Sequence, residues 1–215
     1  MAILNGTIFN DNNTVQNGIL HPSLIGTANS DVINGFAGND ILTGNAGNDT
    51  LFGGIGDDLI TGSTGDDLLN GGVGSDRMIG SSGNDILQGG TGNDSLNGGS
   101  GKDLMIGGIG TDRYVFSTAI GAGNEDQING FSSVDDTIAL ENAIFTSFTS
   151  TGAIQAGNFV AAAGATAVDA DDFLLYDSAT GALSYDADGS GSGAAIAFAS
   201  LNGSPALTAA DFVVI

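Results

Sequence analysis

The chain has 215 residues, 41% of them hydrophobic, enough to build a core and too apolar for wholesale disorder. Three basic residues, Arg77, Lys102 and Arg113, face 25 acidic ones, and the formal charge of -22 excludes nucleic acid and anionic lipid as partners while favouring cations. Cysteine is absent, which excludes disulfides, thiolate metal sites and a cysteine nucleophile.

The opening stretch, MAILNGTIFNDNN, has no basic segment and no apolar run of signal-peptide length. Nowhere do about eighteen apolar residues follow one another, so no membrane-spanning helix is expected. Residues 1–25 read as a cap. Continuing the downstream nine-residue register backwards places Leu24 at an apolar position but Pro22 where the others carry aspartate. Ser23 to Ile25 is therefore expected to be a terminal strand without a metal turn. His21, the only histidine, sits beside Pro22 and reads as structural rather than catalytic.

From Gly26 to Val115 the chain divides into ten nonapeptides without an insertion, running from GTANSDVIN and GFAGNDILT to GGSGKDLMI and GGIGTDRYV. Each has glycine first and aspartate sixth, and nine of ten have glycine fourth, the exception being Asn29, a residue type that tolerates a left-handed backbone. The eighth position is apolar in Ile33, Leu42, Leu51, Ile60, Leu69, Met78, Leu87, Leu96 and Met105, and ends at Tyr114. One inward side chain per nine residues predicts a six-residue glycine-rich turn followed by a three-residue strand that is stable only in a stack. A second period lies over the first. Units starting at Gly53, Gly71, Gly89 and Gly107 open with Gly-Gly, whereas alternate units mostly carry Asn45, Ser63 or Ser81 second, so the structural repeat is eighteen residues. Two nonapeptides per coil predict an all-β, right-handed parallel β-roll, with five coils spanning about 24 Å.

Stacking brings sixth-position aspartates together at a coil spacing of about 5 Å, where they repel. The few inward side chains do not offset the entropy of ordering so many glycines, and a cation is needed. Calcium fits, because it takes six to eight oxygens and a glycine-rich turn exposes carbonyls beside the carboxylates, whereas magnesium demands tighter octahedral geometry. Five turns per edge leave four gaps, predicting about eight calcium ions whose binding free energy is folding free energy. The competing reading of these aspartates is as ordinary turn formers; ten copies with neither asparagine nor serine at the sixth position favour ligation. The fifth-position Asn39, Asn48, Asp57 and Asp66 read as solvated turn residues.

The nonapeptides resemble the RTX (repeats-in-toxin) motif GGxGxDxUx, a calcium-binding parallel roll. The resemblance implies that Asp40, Asp58, Asp76, Asp94 and Asp112 line one edge, and Asp31, Asp49, Asp67, Asp85 and Asp103 the other. It further implies that first- and third-position carbonyls of one turn, with second- and fourth-position carbonyls of the next turn on that edge, enclose each ion. The first set comprises Gly35 and Ala37, Gly44 and Ala46, Gly53 and Ile55, Gly62 and Thr64, Gly71 and Val73, Gly80 and Ser82, and Gly89 and Thr91. The second comprises Gly54 and Gly56, Gly65, Gly72 and Gly74, Gly83, Gly90 and Gly92, Gly99 and Gly101, and Gly108 and Gly110.

After Val115 the glycine period stops, and residues 116–215 read as a β-rich C-terminal domain without a long helix. Asp126, Ile128 and Phe131, followed by Asp136, Ile138 and Leu140, resemble the segment after the roll in serralysin-type secreted proteases. LLYDSATGALSYD predicts a hairpin with Ser178 to Gly181 as its turn and Tyr176 and Tyr185 on its strands. Asp186, Asp188 and Ser190 have the alternate spacing of a calcium loop, yet no helix or distal glutamate completes an EF-hand, and a polar hairpin loop is the preferred reading. The final Asp211, Phe212, Val213, Val214 and Ile215 alone would be an edge strand. With the repeats they resemble the uncleaved signal that RTX proteins present to type I secretion machinery.

No HExxH pair, second histidine or phosphate-binding basic cluster is present, and nothing singles out Asp171 and Asp172 as a glycosidase pair, so no enzyme activity is expected. Two function classes remain. One is a secreted, extracellular calcium-binding protein with a structural, cell-surface or matrix role, which the starting Met1 and the cap favour. The other is the C-terminal folding and secretion module of a larger enzyme, toxin or adhesin. A ligand-binding sheet face is disfavoured because the outward Thr43, Thr61, Ile79, Asn97 and Val115 form no regular ladder.

Overall fold

A strand of this roll begins one residue after each aspartate, where side chains alternate in and out. The computed structural model describes residues 1–6 and 23–215, together with the backbones of strands Thr14–Gln16 and Ile19–His21. Successive strands are Val32–Ala37, Ile41–Ala46, Thr50–Ile55, Leu59–Thr64 and Leu68–Val73, followed by Arg77–Ser82, Ile86–Thr91, Ser95–Ser100 and Leu104–Ile109. Each is six residues long, with a three-residue turn between. The expected strand was half that length. The difference arises because positions one to three of the next unit still pair with the neighbouring coil, as Ala37 does with Ile55. A left-handed residue at position two bends the strand without ending it, and Phe36 (φ 75°), Asn45 (φ 76°) and Ser63 (φ 86°) adopt that conformation as Gly54 does.

Pairing is parallel with the eighteen-residue register: Leu51 lies beside Leu69, and Ile60 beside Met78. Alternate strands therefore build two facing sheets, and the eighth-position side chains from Ile33 to Tyr114 are fully buried between them. This is an all-β parallel β-roll. At its start, Ile3–Asn5 pairs with Val32 to Asn34, and Leu24–Ile25 pairs with Leu42 and Thr43, the terminal strand expected there. The readings of Pro22 and of the His21 side chain lie outside the described residues.

Both sheets continue past residue 115. Asp126–Asn129 joins one, next to Leu104–Ile109, and is followed by Ile196–Leu201, Ala182–Tyr185, Leu174–Asp177 and Phe159–Ala162 to make eleven strands. Thr137–Leu140 joins the other beside Arg113–Phe116, and Phe212–Val214 and Gly152–Ala153 complete nine. The core runs on into an aromatic cluster in which Phe145 and Phe116 both meet Phe198 edge-on at 5.1 Å. Leu174–Asp177 and Ala182–Tyr185 pair antiparallel about the expected Ser178 to Gly181 turn. Tyr176 donates from its hydroxyl to the Pro205 carbonyl at 2.8 Å, and Tyr185 donates to Ser147 Oγ at 2.8 Å. Phe212–Val214 is not an edge strand, since it lies between Thr137–Leu140 and Gly152–Ala153 with Phe212 and Val214 buried. The preceding Asp211 closes a reciprocal cap with Thr208.

Candidate metal site

Each turn ends on its aspartate, and the turn geometry aims that carboxylate along the edge of the roll rather than outward. The ten repeat aspartates are between 1% and 3% exposed, which is costly for a carboxylate unless something opposes its charge. In eight of them, from Asp49 to Asp112, one oxygen has a repeating partner in the preceding coil. The Asp31 amide donates to Asp49 Oδ1 at 2.7 Å, Asp49 to Asp67 at 2.7 Å, Asp67 to Asp85 at 2.8 Å and Asp85 to Asp103 at 2.8 Å. On the other edge Asp40 donates to Asp58 at 2.8 Å, Asp58 to Asp76 at 2.8 Å, and Asp76 to Asp94 and Asp94 to Asp112 at 2.9 Å. The structure thus separates the aspartates into two ladders along the two edges, with the membership expected from the sequence.

The second oxygen is different. At Asp49, Asp58, Asp67, Asp76, Asp85, Asp94, Asp103 and Asp112, Oδ2 is buried without a hydrogen-bond partner. Burial pushes the Asp58 and Asp85 carboxyls up to about 7 and those of Asp67, Asp76 and Asp94 up to about 6; the coil-to-coil amide bonds oppose this, and neighbouring carboxylates add to it. At the start of the roll the Asp31 carboxyl is instead lowered, because the Ala2 and Thr27 amides bond to it.

Carbonyl oxygens surround these orphaned atoms. A Cβ placed on Gly53 would clash with Asp58 Oδ2 and lie 2.7 Å from the Gly71 carbonyl, so first-position glycine leaves a cradle where carboxylate and carbonyl converge. The direction of the carbonyls corrects the arrangement expected from the resemblance. First- and third-position carbonyls face the preceding coil, as when Ile55 O accepts from the Gly38 amide at 2.8 Å and Val73 O from Gly56 at 2.8 Å. Second- and fourth-position carbonyls face the following coil: a Cβ on Gly54 would strike Phe36 O, and one on Gly56 would strike Gly38 O. The gap between two coils therefore holds positions two and four of the first and one and three of the second, the reverse of the expected order. Alternation of carbonyl direction along a parallel strand produces this.

Fifth-position residues are exposed, but they also stack. Asn39 Oδ1 accepts from the Asp57 amide at 3.0 Å, Asp57 Oδ1 from Ser75 at 2.7 Å, and Asp66 Oδ1 from Asn84 at 2.8 Å. They form a second, outer ladder running in the opposite sense to the aspartates.

Sequence reading missed two members of the inner ladders. The Asp103 amide donates to Asp126 Oδ1 at 3.0 Å and the Asp112 amide to Asp136 Oδ1 at 2.9 Å, and both acceptors are buried. The signal for Asp126 was present: GAGNEDQIN keeps glycine first, aspartate sixth and isoleucine eighth, displaced by the five residues Phe116 to Ile120. Asp186 and Asp188 lie on a loop in which the Asp188 carboxylate accepts from the Gly193 amide at 2.9 Å and Asp186 Oδ1 from the Asp188 amide at 3.3 Å. The Asp172 carboxylate is taken up by the Val168 and Asp169 amides at 2.7 and 3.0 Å, as in a turn. Among the described residues no three acidic or histidine side chains converge, so an ion would draw its remaining donors from carbonyls. Two carboxylates and up to four carbonyls per gap suit a hard cation of high coordination number.

A family model for the RTX calcium-binding nonapeptide repeat matches the chain in four copies, at residues 23–51, 43–78, 52–87 and 79–114. No curated protein matches. Among solved structures, the extracellular lipase LipA from Serratia marcescens is similar over 98% of this chain and 39% of its own, at 15% identity and a TM-score of 0.40. The chain thus spans about two fifths of that lipase's length. The AlgE6R3 subunit of the Azotobacter vinelandii mannuronan C5-epimerase is similar over 74% of this chain and 78% of its own, at 24% identity and a TM-score of 0.31.

Proposed function

We propose that this chain, whose residues 23–114 are RTX calcium-binding nonapeptide repeats, folds on binding calcium along both edges of its roll. The observation that carries this is the row of buried Oδ2 atoms from Asp49 to Asp112 without hydrogen-bond partners. An unpartnered buried carboxylate is among the costliest features a fold can hold, and here it recurs every nine residues. Each interior gap offers two aspartates, second- and fourth-position carbonyls from one coil, and first- and third-position carbonyls from the next. For the gap between Asp58 and Asp76 these are Gly54, Gly56, Gly71 and Val73. Calcium supplies positive charge there and involves no bond-making chemistry; the protein residues hold the ion, and the ion holds the coils together. Four gaps per edge give about eight ions within the nonapeptides.

The role that follows is structural and non-catalytic: a secreted protein, at the cell surface or in the surrounding matrix. Extracellular calcium sites work at roughly 10⁻⁴ to 10⁻³ M, so the chain stays unfolded in a calcium-poor cytosol and folds after export. Asp211 to Ile215 serve as the type I secretion signal while the chain is unfolded, and Phe212 to Val214 among them become an interior strand with Phe212 and Val214 buried once it folds. The sequence also permits the same module to end a larger secreted enzyme, toxin or adhesin.

Far-ultraviolet circular dichroism of the chelated protein during calcium titration, with magnesium as control, tests the central claim. A cooperative gain of β signal in calcium alone is expected. A chelated protein already folded and indifferent to calcium would leave the aspartates as turn formers and refute the proposal.

A further inference from the structure

We infer that the ladder running from Asp31 to Asp103 carries one more calcium seat beyond the nonapeptides, between Asp103 and Asp126, and that Asn124 completes it with a side-chain oxygen. This rests on the calcium reading of the roll. Within the roll, the fourth-position amide of each coil donates to the third-position carbonyl of the next: Gly65 to Ser82 and Gly83 to Ser100, both at 3.0 Å. Gly101 comes next in that series, and its amide donates instead to Asn124 Oδ1 at 2.6 Å. An amide side chain thus places its oxygen where a repeat would have placed a main-chain carbonyl.

The other donors are in their ladder positions. Asp103 Oδ2 is buried without a partner, as at every interior gap, and Asp103 is only 2% exposed. Asp126, 4% exposed, receives the Asp103 amide as Asp103 receives that of Asp85. The Gly99 carbonyl faces the added turn, since the Thr118 hydroxyl donates to it as the Ser100 hydroxyl donates to Ser81 O one coil earlier. Lys102, beside the gap, is neutralised by Glu125 at 2.7 Å. With the Gly101 carbonyl and water the set reaches the coordination number calcium requires.

The ladder running from Asp40 to Asp112 ends differently. Asp136 receives the Asp112 amide, but its second oxygen accepts from the Ser132 amide at 2.9 Å, so amides occupy both oxygens. Asp31, at the opposite end of the molecule, is closed in the same manner by Thr27. Asp112 Oδ2 is buried and bare as Asp103 Oδ2 is, but Asp136 beyond it has amides on both oxygens, whereas the Asp103–Asp126 gap also receives the Asn124 side-chain oxygen; this added seat brings the expected total to about nine ions rather than eight.

Native mass spectrometry of the full chain at saturating calcium counts the ions directly. The expected result is about nine for the unsubstituted protein and one fewer for Asp126→Asn and for Asn124→Gly. A count of about eight, unchanged by both substitutions, overturns the added seat while leaving the repeat sites intact. Absence of any bound calcium refutes the roll reading itself, and the added seat with it. If Asp126→Asn loses several ions through misfolding, Asn124→Gly decides: one ion lost upholds the seat, and none lost overturns it.

Discussion

Aspartate at the sixth position does two things with its two oxygens, and they respond differently to pH. Oδ1 is bonded to an amide, whereas Oδ2 is buried and bare, so in the metal-free fold Asp58 and Asp85 titrate at about 7 instead of 3.8. A pKa raised by folding means that protons favour the folded chain; that contribution is complete below 3.8 and disappears as pH rises through about 6 to 7. Chelated protein is therefore expected to gain β signal on acidification from about pH 8 to about pH 5, while calcium-loaded protein, whose carboxylates the ion keeps ionised, releases its ions at lower pH, as circular dichroism and a calcium electrode would show. Glycines divide in a similar way. Gly53→Ala would push a methyl group into Asp58 Oδ2 and the Gly71 carbonyl, with an expected loss of about 1–3 kcal/mol in urea unfolding of the calcium form. Phe36→Gly, at φ 75° and half exposed, is expected to gain about 1 kcal/mol by relieving a left-handed non-glycine residue. The sequence identified the aspartates because they recur without exception; it did not reveal carbonyl direction, which depends on how each strand pairs and has no residue type of its own.

At the level of elements, the single apolar residue in nine marked where each strand runs, but not its ends, since it is the second of six residues rather than the centre of three. Positions one to three look like a turn because they are glycine-rich, yet they pair with the next coil, and the pairing sets the strand boundary. That Asp126–Asn129 continues the ladder escaped notice for the opposite reason: its nonapeptide keeps glycine first, aspartate sixth and isoleucine eighth but is displaced by five residues, so a search for uninterrupted register stops too early. Phe212–Val214, which taken alone would be an edge strand, lies between Thr137–Leu140 and Gly152–Ala153, partners that no local pattern announces. Deleting residues 212–215 removes buried Phe212 and Val214 from an interior strand and is expected to cost at least about 3–5 kcal/mol, measurable as an earlier urea midpoint at fixed calcium.

Across the whole molecule, stability is additive along the roll, since each coil touches only its neighbours and each gap is held by its own donors. Deleting residues 62–79 removes one coil and joins Thr61 to Gly80 in register. It should preserve the calcium-induced β signal and lower the ion count by about two in native mass spectrometry. Deleting only residues 62–66 throws every downstream aspartate off its ladder and should abolish cooperative folding. The eighteen-residue register also sets a distance. Each pair of nonapeptides moves the strand Ile3–Asn5 away from the C-terminal strands by one strand spacing, about 4.8 Å, without altering the cross-section. A lineage that gains or loses such pairs changes the separation between the two ends in equal steps, so the molecule is a ruler graduated by its own gene.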